Sequence, residues 1–160
     1  MSHIHELYDF TASAFIVHDK KVLLMHHKRL AVWIQPGGHI ELDEDPEMAL
    51  WREIEEETGL TKDVLEIVQL QQYTLPGHSA ASQKRLPLPF DLNVHPYGTD
   101  GVHKHIDFCY LMKSSTDKTA QNIEESNDLR WFSSADIEEA SDKMYPDVHA
   151  RALFALNMVS

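Results

Sequence analysis

Cysteine is nearly absent. Cys109 is the only one in 160 residues, which excludes an internal disulfide framework and points to a reducing compartment, the cytoplasm. Long apolar runs are missing as well: no stretch approaches the ~18 residues of a membrane span. Met1–Phe10 (MSHIHELYDF) also lacks the basic-then-apolar layout of a signal peptide. Positive charge is scarce, with 14 Lys and Arg against 26 Asp and Glu, a net charge of −12. A chain this acidic is a poor grip for a long nucleic-acid duplex, which is held through basic patches. If its substrate is itself an anion, a cation must lie between the two. Repeats, low-complexity tracts and a second domain boundary are missing too, so the length reads as one domain over residues 1–160.

What is present is a mixture of strand and helix patterns. Thr11–His18 and Val22–His27 read as a β-hairpin turning at Asp19-Lys20-Lys21. Lys28–Ile34 fits neither type, and Gln35-Pro36-Gly37-Gly38 breaks regular structure. Asp45 as N-cap, Pro46 at the first position, Glu47 in the first turn and Gly59 after the last predict a helix over Pro46–Thr58. Further strands are predicted at Val64–Tyr73, Phe90–His95, His103–Lys113 and Asp128–Phe132. A turn of helix is predicted at Ser134–Ala140 and a terminal helix at Pro146–Val159. Thr74–Gly101, with four prolines and three glycines, is a long connection of the kind that covers a ligand. The elements interleave without regular βαβ spacing, which implies a mixed α+β fold.

The chemistry concentrates on the predicted helix. Glu53, Glu55, Glu56 and Glu57 are four carboxylates in five positions. At 100° per residue Glu53, Glu56 and Glu57 fall within about 100° of arc, on the side that also carries Ala49 and Leu50, while Glu55 points away. They occupy the last two turns, where the helix dipole disfavours an anion by roughly 0.3–1 kcal/mol. Glu53 and Glu57 also repel at i,i+4. A bound divalent cation reverses that balance, because oxygen ligands on one rigid face are what Mg²⁺ or Mn²⁺ requires. A plain solvated polar face is the alternative.

Gly38, five residues, Glu44, seven residues, then Arg52-Glu53-Ile54-x-Glu56-Glu57-x-Gly59-Leu60 matches every defining position of the Nudix box. Trp33-x-x-Pro36-Gly37-Gly38 ahead of it is similar to that family's lead-in, and the chain thus resembles a Nudix hydrolase. The resemblance implies a mixed sheet sandwiched between helices (α/β/α). It implies Mg²⁺- or Mn²⁺-dependent cleavage, by water attack at phosphorus, of a small-molecule nucleoside diphosphate linked to another moiety. Carried over by position, Glu53, Glu56 and Glu57 are metal ligands, the Gly38 carbonyl is a further one, and Glu44 ligates or supports. Arg52 pairs with Glu44 or Glu53 to orient it. Glu53 or Glu56 is the general base, unless Asp91, Asp100 or Asp107 outside the box serves. The alternative is a catalytically silent Nudix module that binds a nucleotide without turnover. Monomer and homodimer are equally open.

Two further groups stand apart from the box. His103, His105 and Asp107 alternate along one strand face, a pattern suited to contacting substrate or to forming a facial transition-metal site. Lys84-Arg85 is the concentrated positive charge of the long connection and a candidate for binding phosphate. Cys109, between Phe108 and Tyr110, is expected to be buried and inert.

Overall fold

The structure, a computed structural model, describes residues 7–71, 84–97, 101–124 and 126–159. The predicted hairpin forms: β1 (Tyr8–His18) turns through Asp19-Lys20 into β2 (Lys21–His27). Asp19 and Lys20 take positive φ, 43° and 62°, the pair of left-handed residues that lets a two-residue turn follow the strand twist. The strands pair only over Ile16–His18 and Lys21–Leu23. They then diverge, and two short strands fill the gap. β3 (Trp33–Ile34) pairs with Met25 and His26 of β2, and β4 (Gly37–His39) pairs with Thr11–Ser13 of β1. The expected break at Gln35–Gly38 therefore contains a strand. Its glycines lack side chains, but their backbone donors and acceptors still pair.

The far edge of β1 runs parallel to β7 (Lys104–Ser114), from Tyr8 opposite Lys104 to Val17 opposite Lys113. This long pairing extends β1 ahead of its predicted start at Thr11. β5 (Leu65–Ile67) and β6 (Asp91–Pro96) share the other edge of β7, and β8 (Ser126–Phe132) closes the outer edge of β2. The strand predicted over Val64–Tyr73 shrinks to β5, because β6 already occupies that edge of β7 from Lys104 to Cys109.

Alternation along β1 and β7 divides the core into two layers. Ala12, Ala14, Ile16, Tyr110 and Met112 face α1 (Pro46–Thr58) with Leu50 and Ile54. Phe15, Val17, Cys109 and Leu111 face α2 (Ser134–Glu139) and α3 (Pro146–Met158) with Ile137, Val148 and Ala152. Full burial of Leu50 or Ile54 contributes roughly 1.5–3 kcal/mol each. The result is a mixed sheet between helices, the α+β fold that the element order implied and the α/β/α sandwich that the resemblance implied. The α1 boundaries are those predicted. Asp45 Oδ1 accepts from the Met48 N–H at 2.9 Å, and the Gly59 N–H donates to the Glu55 carbonyl at 2.9 Å. Among the described residues, no helix is long and apolar enough to cross a membrane.

Candidate active site

Packing Ala49, Leu50 and Ile54 of α1 onto the sheet turns the Glu53/Glu57 stripe against β4. Glu53 is 1% and Glu57 6% exposed. Two buried anions on one helix face carry a large desolvation cost unless charge or hydrogen bonds offset it. The Gly37 N–H donates to Glu57 Oε2 at 2.7 Å. Arg52 is the hub for the rest. Its Nε and Nη2 hold Glu44 in a two-point grip at 2.7 and 2.8 Å. Its Nη1 reaches Glu53 Oε1 at 2.8 Å and Glu56 Oε2 at 3.3 Å, and Nη2 also donates to the His39 carbonyl at 3.0 Å. The structure thus gives Arg52 both partners that the sequence offered as alternatives, together with Glu56. Hydrogen bonding to Arg52 holds the Glu44 carboxyl below its usual range, and the carboxylates raise the guanidinium in turn. Three carboxylates share one guanidinium, so negative charge stays in excess here. Glu56, unlike the buried Glu53 and Glu57, is half exposed, and Glu55 faces solvent.

The glycines of β4 make the close approach possible. A Cβ on Gly38 would lie 2.4 Å from Glu53 Oε1, and one on Gly37, at φ 144°, 2.4 Å from the Ala12 carbonyl. The candidate ligands carried over from the sequence, Glu53, Glu56, Glu57, Glu44 and the Gly38 carbonyl, offer oxygen alone. That set fits Mg²⁺ or Mn²⁺. Beside it, a cleft of about 310 Å³ is lined by Phe10, Phe108, Ile40, Leu42, Glu44 and Pro46 among others. The Phe10 and Phe108 rings stand 6.4 Å apart. Lys84 lies at the start of α1, its Nζ 2.8 Å from Asp45 and 2.9 Å from Glu47. Arg85 is exposed.

His105 and Asp107 lie on the other face of the sheet from α1. Their parity is that of Cys109 and Leu111, which face α3. Asp107 is 2% exposed and accepts from Thr11 Oγ1 at 3.0 Å and Ser13 Oγ at 2.8 Å. Burial pushes its carboxyl up despite those two donors. Asp91 is held by Arg151 of α3 at 2.7 Å. Neither Asp91 nor Asp107 therefore shares the face of the box carboxylates, and Asp100 lies outside the described residues. His105 is pushed down to about 3 by burial, and then by the neighbouring His39, His95 and His103. His103 lies 3.1 Å from Asp9, and His39 3.4 Å from the same carboxylate. Asp9 and His39 escaped the sequence reading. The signal was the alternation of Asp9, Thr11 and Ser13 along β1, which acquires meaning only through the β1–β7 pairing.

A family model described as the NUDIX domain matches residues 7–154. A crystal structure of a NUDIX-family hydrolase from Clostridium perfringens superposes with a TM-score of 0.79 at 31% identity, covering 94% of this chain and 97% of that one. A Caenorhabditis elegans Ap4A hydrolase binary complex superposes at 0.64 and 21% identity, over 94% and 98% of the two chains, a likeness of fold. In sequence, the "Probable DHNTP pyrophosphohydrolase" of Lactococcus lactis subsp. cremoris (strain MG1363) is 28% identical over 104 residues, 64% of this chain and 52% of that protein. The chain spans about half the length, or less, of the curated relatives it matches.

Proposed function

The chain belongs to the Nudix family, and on that premise we propose that it is a Mg²⁺- or Mn²⁺-dependent pyrophosphohydrolase. Its substrate is a small nucleoside diphosphate linked to another moiety. The observation that carries this reading is the charge imbalance at α1: Glu44, Glu53 and Glu56 share the single Arg52 guanidinium, with Glu57 buried beside them. Glu53, Glu56, Glu57 and the Gly38 carbonyl would hold the cation, and Glu44 stands ready as a further donor. When bound, the ion neutralises charge on the phosphate oxygens and lowers the pKa of coordinated water.

The protein's own groups do the rest. Arg52 fixes the Glu44, Glu53 and Glu56 carboxylates against the His39 carbonyl, so the donor set is held before substrate arrives. Glu56, the half-exposed member, would take the proton from the attacking water. Phe10 and Phe108 offer an apolar wall for the organic part of the substrate. Lys84 offsets Asp45 and Glu47 at the cleft's edge, and Arg85 follows it in the chain. The complete set of box carboxylates favours turnover over a silent binding module. The test is a panel of nucleotide sugars, dinucleoside polyphosphates, NADH, FAD, CoA and oxidised dNTPs incubated with Mg²⁺ or Mn²⁺. Release of a phosphomonoester from at least one member is expected. Tight binding of a panel member without release, in either metal, would establish the silent module instead.

A further inference from the structure

On the α3 face, at the Tyr8 end of the sheet, histidine and aspartate line up across four adjacent strands. Asp9 of β1 stands opposite His105 of β7, and His105 stands opposite His95 of β6. His39 of β4 pairs with Thr11, two residues along β1 from Asp9 and on the same face. His103 precedes His105 by two. Backbone register therefore brings these side chains together, whatever rotamers they adopt. Asp9 is fully buried, with His39 Nε2 at 3.4 Å and His103 Nε2 at 3.1 Å from its Oδ2. One ligand atom each from Asp9, His39 and His105 all lie within 4.8 Å of one another. The His105 ring centroid is 5.0 Å from that of His39 and 5.6 Å from that of His103.

From this arrangement we propose a second metal site, in which Asp9, His39 and His105 hold a first-row transition cation, Zn²⁺ by ligand type, with His103, 3.1 Å from Asp9, as the side chain that completes the set. Three imidazoles and one carboxylate are a tetrahedral zinc set. Zn–N bonds of ~2.05 Å place neighbouring ligand atoms roughly 3.3 Å apart, close to the two Asp9–histidine distances. The chemistry separates this site from the box: imidazole nitrogen selects Zn²⁺ over Mg²⁺, whereas the all-oxygen set on α1 is of the kind that Mg²⁺ and Mn²⁺ accept. The ion would tie β4 to β1 and β7 at the residue after Gly38, whose carbonyl Arg52 also grips. It differs from the set read in the sequence, because Asp107 is occupied by Thr11 and Ser13 while Asp9 and His39 replace it.

The experiment uses the full chain, stripped with chelator and then held in excess Mg²⁺ so that the box is saturated. Zn²⁺ is titrated by equilibrium dialysis with metal analysis, and Co²⁺ is substituted for spectroscopy. One Zn²⁺ per chain should bind with sub-micromolar affinity. His39→Ala/His105→Ala should weaken it at least ~100-fold, while Glu53→Gln/Glu57→Gln should retain it. Wild type loaded with Co²⁺ should show the intense visible bands of a tetrahedral nitrogen-rich site, a readout that needs no variant to fold. Absence of Zn²⁺ binding by folded wild type in excess Mg²⁺ would overturn the proposal and leave a hydrogen-bonded histidine–aspartate cluster. A Co²⁺ spectrum of octahedral, oxygen-only ligation would overturn it too, as would loss of Zn²⁺ in the glutamate variant alone.

Discussion

Replacing Gly38 by alanine asks whether the Glu53 carboxylate must stand where it does. The added Cβ would meet Glu53 Oε1 at 2.4 Å, Cδ at 2.5 Å and Oε2 at 2.7 Å. Ordinary contact begins near 3.4 Å, so the carboxylate must retreat by 3.4 − 2.4, or about 1 Å. It has little room, being 1% exposed and tied to Arg52 at 2.8 Å. Gly38 does not have positive φ, so alanine adds no backbone strain and the effect is one of contact alone. A shift of this size in a positioned group lowers turnover by about 10²-fold, and overpacking of a tight site destabilises by roughly 1–3 kcal/mol. The assay is kcat on the best diphosphate of the panel at saturating Mg²⁺, with thermal unfolding followed by circular dichroism. Gly38→Ala should fold, melt somewhat lower and lose turnover. Adding Glu53→Asp, one methylene shorter, should recover part of the stability. A folded Gly38→Ala with undiminished kcat would mean that Glu53 has no positional role.

Glu56→Gln and Glu57→Gln should each lower turnover at least ~10²-fold while circular dichroism shows the native fold; unfolding would mean that the carboxylates are structural. Millimolar Mg²⁺ or Mn²⁺ should raise the melting temperature by mass action, and less so in Glu53→Gln; equal shifts in both proteins would place the ion elsewhere. Lys84→Ala/Arg85→Ala should raise KM with little change in kcat, because it leaves Asp45 and Glu47 uncompensated beside an anionic substrate; unchanged steady-state constants would remove these residues from the site. Cys109 is fully buried and its thiol is pushed well up by that burial. It should therefore ignore a thiol reagent in the native state even at pH 9 and react only on denaturation, as timed thiol titration would show.

The box helix was legible because its signals are local. Asp45, Pro46 and Gly59 set its ends through contacts a few residues away, and the 3.6-residue repeat alone separated Glu55 from Glu53 and Glu57. The strands of the hairpin were legible for the same reason. β4 was not, since glycine and proline read as punctuation and only the exposed edge of β1 makes a strand of Gly37–His39. The length of β5 was decided likewise, by β6 taking the rest of its edge.

By itself, the sequence determined the family motif, the capped helix and the carboxylate stripe, all of which depend on neighbours within a turn or two. Tertiary structure decided which partners those groups meet. It placed Gly38 against Glu53, shared one Arg52 among three carboxylates, and set His105 and Asp107 on the face away from α1. It also brought Asp9, 96 positions ahead of His105 in the chain, directly opposite it. The reason is that strand pairing joins residues without regard to their separation in sequence, and the two-residue period of a strand then assigns each side chain to one face.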